Sequence, residues 1–201
     1  MKQSFDVLMV GVGGQGIILA SNIVGEACLA EGRSVKGAET HGMAQRGGSV
    51  EGHIRIDGKY GPLIPPGSAR LIIAFDMLEA LRYAHFLAPD GTIVSNCHFL
   101  VPPAVFMQGG AVPDRADIQK RLEAWSLCLV DADSLASEAG SPLSQNVVML
   151  GAASWFMPLR SESLLGAIER LVPQKTVEIN RVAFDLGRKA GSSCREGKGK
   201  A

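Results

Sequence analysis

The tightest constraint on this chain lies near its start, where the apolar run Phe5 to Val10 meets Gly11, Gly13, Gly14 and Gly16 and passes into Ile17 to Ala30. A short apolar run that stops at glycine reads as a buried strand, and the segment after the glycines has the length and composition of a helix. Gly11, Gly13 and Gly16 satisfy G-x-G-x-x-G in the strand–turn–helix context that gives the motif meaning. Glycine serves there because the turn is tight, because backbone must approach a phosphate closely, and because helix and strand pack tightly. A chain built this way is committed at its first step to an α/β fold.

The rest of the chain continues the alternation. Ser34 to Lys36 is a candidate second strand, followed by Leu71 to Phe75, Gly91 to Asn96 and Leu127 to Val130. Between them lie helical patterns: MLEALRYAHFL, and DIQKRLEAW with Ile118, Leu122 and Trp125 on one face and Asp114 placed as its cap. The expectation is α/β, a Rossmann-like, mostly parallel sheet with helices on both faces. One insertion interrupts it. Val50 to Ile56 alternates apolar and polar residues, and Asp57-Gly58 predicts a turn into Lys59 to Leu63, an antiparallel hairpin with one polar face. Cys97 to Pro113, with three prolines and two glycines, predicts a loop. NVVMLGAASWF, Asn146 to Phe156, is apolar all round and predicts a helix buried in the domain or in a partner. Residues 1–190 read as a single domain closed by two amphipathic helices, and 191–201 as a flexible tail.

Composition removes several functions. Twenty basic residues balance twenty acidic ones and aromatics make up 5%, so neither a charged field nor a stacking platform invites nucleic acid. No apolar stretch reads as a membrane span or a leader, which makes the cytoplasm the default location. Cys28, Cys97, Cys128 and Cys194 are too scattered in sequence for a zinc or iron–sulfur motif and read as reduced thiols, and no metal site is predicted.

Two glycine-rich segments are the candidate binding elements. In the first, Gly11, Gly13, Gly14, Gln15 and Gly16 are the candidate cofactor-binding residues, with Gln15 a polar side chain at the helix mouth. A dinucleotide site would need an acid at the tip of the second strand, and Lys36 stands there instead. The plainer alternative, a turn that only builds the fold, stays open. In the second segment Thr40, His41, Gln45, Arg46, Gly47 and Gly48 are candidate substrate or anion contacts, expected in the loop after the second strand and facing the same crevice. The glycines let N–H groups turn toward an anion, and Arg46 can add a bidentate clamp. The competing reading is a lid whose polar groups cap helices and meet water. No residue stands out as catalytic.

At these residues a resemblance becomes specific. VGVGGQGIILAS, HGMAQRGGSVEGHIRI, GPLIPPGSARLIIAFDMLEALR and NVVMLGA resemble the gamma-type domain of the 2-oxoacid:ferredoxin oxidoreductases, over about Val7 to Val182. The form with HGMAQRGG is similar to the beta subunit of the indolepyruvate enzymes; Asp76 and Met77 depart from the glutamate and proline of many relatives. The resemblance implies a subunit of an oxidoreductase that converts an arylpyruvate, coenzyme A and oxidised ferredoxin to an acyl-CoA, carbon dioxide and reduced ferredoxin. That chemistry needs thiamine diphosphate as a carbanion sink and iron–sulfur clusters as one-electron acceptors. The chain has no G-D-G signature and no cluster motif. Thiamine diphosphate, magnesium and 4Fe-4S clusters are therefore expected on a large alpha subunit, with ferredoxin reached through the complex. This chain would complete the active-site cleft and contact coenzyme A. An apolar surface left by the absent partner would favour a homodimer. The rival readings are a free-standing nucleotide-binding or dehydrogenase-like protein, and an assembly module that binds no small molecule.

Overall fold

The structure is a computed structural model that describes residues 4–41, 48–101 and 114–197. Six strands form one sheet: β1 (Phe5–Val12), β2 (Val35–His41), β3 (Ser49–Ile56), β4 (Ala69–Ala74), β5 (Leu87–Asn96) and β6 (Leu127–Val130), in the order β2-β3-β1-β4-β5-β6. Seven helices accompany them among the described residues: α1 (Ile17–Ala30), α2 (Met77–Tyr83), α3 (Arg115–Leu122), α4 (Ala132–Glu138), α5 (Gln145–Ala153), α6 (Ser161–Leu171) and α7 (Val177–Gly197). β1 runs parallel to β4, β4 to β5 and β5 to β6, while β3 lies antiparallel between β2 and β1. The mostly parallel α/β architecture expected from the alternation is the one found.

Strand alternation divides the core in two. Val7, Met9, Ile54, Ile56, Leu71, Ile73 and Val94 face α1, α5, α6 and α7, whereas Leu8, Val10, Ile72, Ala74 and Ile93 face α2, α3 and Ile64. β1, β4, β5 and β6 therefore feed both layers, which is why their central residues read as continuous apolar runs, whereas β2 and β3 at the antiparallel end are mixed in sequence. Asp114 caps α3, its Oδ1 accepting from the Ala116 N–H at 3.2 Å, as the sequence predicts.

Three expectations need correction. The hairpin is formed by β2 and β3, paired from Val35–Ile56 to His41–Val50, so the second strand is longer than Ser34 to Lys36. Lys59 to Leu63 is not a strand. Asp57, at φ 52°, instead turns its carboxylate back to accept from Arg33 Nε (2.9 Å) and the Ser34 N–H (3.0 Å), spending the turn on the α1–β2 connection. The polar face of β3 is covered as well: His53 is 4% exposed, and Arg55 Nε donates to Asp6 at 3.0 Å.

The third correction concerns the C-terminus and the cysteines. Helix α7 continues through Gly197, past the expected boundary at residue 190, and Cys194 on it is disulfide-bonded to Cys128 of β6, so only Cys28 and Cys97 are free. Sequence distance hid the pair, which lies 66 residues apart. Helix α5 meets the expectation of burial, and does so within the domain: Asn146 to Ala153 are all buried, under α7, α1, α4 and the sheet. The cover is close because glycines line it. A Cβ on Gly151 would strike the Phe184 carbonyl oxygen, one on Gly187 would strike that of Val148, and one on Gly191 would lie 2.5 Å from that of Ala152. Among the described residues no helix is long and apolar enough to cross a membrane.

Candidate functional site

The connection from β1 goes to the β2–β3 side of the sheet, whereas β4 lies on the other side of β1. The crevice beyond the carboxyl ends of β1 and β4 is therefore the topological switch point, where open α/β sheets place ligands. The glycine turn sits there, and Gly11, Gly14 and Gly16 each have their own reason. Strand β1 extends through Val12, beyond the expected end at Val10, so Gly11 is a strand residue. A Cβ on Gly11 would lie 2.5 Å from Gln15 Oε1 and 2.9 Å from the Phe75 Cβ. Gly14 and Gly16 take φ of 106° and 76°, backbone that L-residues avoid. Gly16 also receives the side chain of Asn146, whose Nδ2 donates to the Gly16 carbonyl at 3.2 Å. Asn146, the second residue of α5, is the contact that sequence reading missed. It is buried in an apolar helix, and one asparagine in such a run is the signal that could have found it.

Gln15 does not reach outward. It is 7% exposed; its Oε1 accepts from the Val12 N–H at 2.7 Å and its Nε2 donates to the Phe75 carbonyl at 3.2 Å. The amide thus ties the end of β1 to the end of β4 across the switch point, which corrects its reading as a side chain facing a ligand. What the turn does offer is the start of α1. Among the described residues no side chain caps it and no acid lies in its first turn, so its positive end suits an anion.

Thr40 and His41 are the last two residues of β2, opposite Glu51 and Val50, and Thr40 is exposed. They are strand residues, not loop residues as expected. Gln45, Arg46 and Gly47 lie outside the described residues. Gly48 marks where the hairpin returns, and its carbonyl accepts from the Gly13 N–H at 2.9 Å. His41, Val50 and Gly11 stand side by side on adjacent strands. The two glycine-rich segments, separate in sequence, thus meet at one end of the sheet.

Behind this junction lies a polar cluster that the sequence did not announce. Ser49 Oγ donates to Glu79 Oε2 at 2.5 Å and lies 3.2 Å from the Tyr83 hydroxyl, while Arg82 Nη1 donates to Glu79 Oε1 at 2.7 Å. Glu79 is 3% exposed, and these donors satisfy both oxygens of its carboxyl group. Burial pushes the Tyr83 hydroxyl above its ordinary pKa. Burial lowers the His53 pKa, with Glu51 opposing, and His53 Nδ1 accepts from the Ile64 N–H at 3.2 Å. The neutral ring therefore carries its proton on Nε2. Asp76, fully buried, caps α2: Oδ1 accepts from Leu78 and Glu79 and Oδ2 from Leu100, yet burial still raises its pKa.

Two further concavities lie off the switch point. One of about 350 Å³ is lined by Cys97, His98, Arg115, Asp131 and Asp133, with His98 Nδ1 2.9 Å from Asp133 Oδ2. Another, of about 490 Å³, runs between α1 and the edge strand β2. Among the described residues no group of three or more His, Cys, Asp or Glu side chains could hold a metal ion.

Comparison with known proteins agrees with this geometry. Residues 6–190 match the family model described as pyruvate ferredoxin/flavodoxin oxidoreductase. The chain is 39% identical over 196 residues to the indolepyruvate oxidoreductase subunit IorB of Pyrococcus horikoshii, covering 94% of this chain and 96% of that one. Against the subunit of the same name from Archaeoglobus fulgidus it is 39% identical over 186 residues, covering 90% and 92%. Among solved structures, the gamma subunit of a keto/oxoacid ferredoxin oxidoreductase from Geobacter sulfurreducens superposes with a TM-score of 0.70 at 22% identity, covering 94% of this chain and 99% of that one. A 2-oxoglutarate:ferredoxin oxidoreductase from Magnetococcus marinus, solved with 2-oxoglutarate, coenzyme A and succinyl-CoA bound, superposes with a TM-score of 0.73 at 22% identity; the match covers 96% of this chain but 32% of that longer one. With a family model matched over nearly its whole length and relatives close to two-fifths identical, the chain belongs to the pyruvate ferredoxin/flavodoxin oxidoreductase family.

Proposed function

We propose that the chain is the smaller, non-catalytic subunit of a 2-oxoacid:ferredoxin oxidoreductase acting on indolepyruvate or a related arylpyruvate, and that it completes the cleft in which the oxoacid and coenzyme A meet. The observation that carries this reading is the junction of the two glycine-rich segments, through the Gly13–Gly48 hydrogen bond, beside the uncapped start of α1. Such a junction gathers main-chain donors where an anion would sit, as a carboxylate or phosphate requires. The names of the relatives supply the oxoacid, and the coenzyme A in the Magnetococcus structure supplies the second ligand.

The chain's own donors do not fit the redox cofactors. Cys128 and Cys194 are joined, Cys28 is buried in the core and Cys97 stands alone, which leaves no four-thiolate set for a cluster. Thiamine diphosphate, magnesium and the 4Fe-4S clusters belong in this reading to a large alpha subunit, which also serves ferredoxin. The Magnetococcus chain is about three times as long as the matched part, which fits a cleft shared with further polypeptide. Ile18 and Leu143, 53% and 90% exposed, lie on the first turn of α1 and just before α5, and offer that partner an apolar rim. We place the assembly in the cytoplasm, where the sequence reading puts the chain.

The test is reconstitution with the large subunit and its Arg46→Ala variant. Loss of a charge-assisted bond to a bound anion weakens binding by roughly ten- to a hundredfold, with partial recovery in Arg46→Lys because lysine lacks the paired geometry. Unchanged Michaelis constants for oxoacid and coenzyme A would overturn the ligand role of the loop. Full turnover by the large subunit alone would overturn the whole reading.

A further inference from the structure

We propose that Cys128 and Cys194 form a reversible thiol–disulfide latch that pins the last turns of α7 to the edge strand β6. The two residues are 66 positions apart, yet their Cα atoms lie 5.4 Å from each other, within the range a disulfide bridges without moving backbone. This approach is imposed by packing independent of the bond. Gly187 and Gly191 hold α7 at backbone contact with Val148 and Ala152 of α5, and Cys194 follows Gly191 on the same rigid helix. The thiols are therefore presented to each other whether or not they are joined.

Access is one-sided. Cys128 is 2% exposed and faces the core, whereas Cys194 is partly exposed. Oxidation begins with the Cys194 thiolate attacking a low-molecular-weight disulfide, releasing one thiol and leaving a mixed disulfide on Cys194. The Cys128 thiolate then attacks Cys194 Sγ and releases the second thiol. One external disulfide is reduced to two thiols as the two cysteines lose two protons and two electrons. Reduction reverses the sequence, entering again at Cys194. The other cysteines stay out of the exchange: burial pushes the Cys28 thiol up to about 12 and also raises Cys97, and neither is disulfide-bonded. In the reducing cytoplasm proposed above, a disulfide of this kind is a redox-responsive element and not a permanent staple. The inference does not depend on any ligand at the glycine turn.

A reporter stands beside the latch. The Arg188 and Arg195 guanidinium groups lie 4.3 and 5.3 Å from the Trp155 ring centroid, and Trp155 Nε1 donates to the Arg188 carbonyl at 2.8 Å. With Trp125→Phe, Trp155 is the sole tryptophan and Arg195 is the immediate neighbour of Cys194. The full chain is equilibrated in glutathione buffers of graded potential, then denatured, alkylated and mapped. Oxidising buffers are expected to protect two of the four cysteines, linked as the Cys128 and Cys194 peptides. Trp155 emission should follow the same midpoint, and the melting temperature should rise by up to about 10 °C from reduced to oxidised form. Cys194→Ser should abolish both changes. The proposal is overturned if four thiols remain alkylatable under excess glutathione disulfide, if glutathione adducts accumulate on Cys194 without the cross-link, if the bridge resists dithiothreitol in the folded protein, or if oxidised and reduced forms melt together.

Discussion

Replacing Gly151 or Gly187 by alanine should destabilise the protein, although alanine is by far the better helix former. Both residues lie in helices, and in an unpacked helix the change would add about 1 kcal/mol. Here the new methyl group has nowhere to go. At Gly151 it would strike the Phe184 carbonyl and come within 3.0 Å of the Arg188 nitrogen; at Gly187 it would strike the Val148 carbonyl and come within 2.8 Å of the carbon behind it. The obstacles are backbone of a neighbouring helix, which no rotamer change can remove, so α5 and α7 must separate along their shared face. Overpacking of this kind costs about 3 kcal/mol, at the upper end of its usual range because main chain has to move. Subtracting the helix-propensity gain leaves a net loss of about 2 kcal/mol, or roughly 4–8 °C in melting temperature for a chain of this size. Gly25 of α1 and Gly166 of α6 are the internal controls. A Cβ on Gly25 meets nothing within 4 Å, and one on Gly166 meets only the tip of Arg170 at 3.5 Å. Alanine there should raise the melting temperature by roughly 2–4 °C. Thermal denaturation followed by circular dichroism on the four single variants decides the matter. If Gly151→Ala and Gly187→Ala melt at or above the wild type, backbone contact between the two helices is wrong.

Three further outcomes are expected. Asn146→Ala removes the donor to the Gly16 carbonyl and should cost about 1–2 kcal/mol, with faster amide exchange across Gly11 to Gly16; exchange unchanged in that turn would show that Asn146 does not hold it. His53 is lowered by burial from 6.5, so the unfolded chain takes up a proton that the folded chain refuses, and stability should be full above pH 6.5 and fall as the pH drops below it; denaturant titrations of wild type and His53→Gln should differ in that window, and parallel curves would refute the burial. Ser49→Ala strips a donor from the buried Glu79 carboxylate and should cost about 1–3 kcal/mol, whereas a fully stable Ser49→Ala would mean that water reaches Glu79.

The parts of this molecule that could be read in the sequence are those where a local pattern has a local cause. Apolar runs marked β1, β4, β5 and β6 because each of these strands feeds two cores, and Asp114 marked the start of α3 because a cap acts within its own turn. Failure came where the cause was distant. Asp57-Gly58 carries a strong turn signal, but Arg33 and Ser34, far back in the chain, claim the aspartate and the hairpin closes elsewhere. Gln15 looked available because its partner carbonyl belongs to Phe75, sixty residues on. Gly187 and Gly191 carry no signal within the amphipathic pattern of α7; only the position of α5 turns them into the contact surface. The candidate site was legible as two glycine-rich segments, Asn146 left a trace as the one asparagine of an apolar run, and what sequence could not supply was the pairing of Ser49 with Glu79 behind them.

The burial of α5 beneath α7 also sets an order of events during synthesis. Eight consecutive residues from Asn146 to Ala153 have no place in water, and the cover they need begins at Val177. While that later stretch is still inside the ribosome, the nascent chain carries a sheet with an open apolar flank, an aggregation-prone species of the sort that chaperones shield. Docking of α7 is then the step that closes the molecule. Any change that delays it, by loosening the glycine contacts or by shortening the chain before Gly191, would be felt as lost yield before it was felt as lost stability.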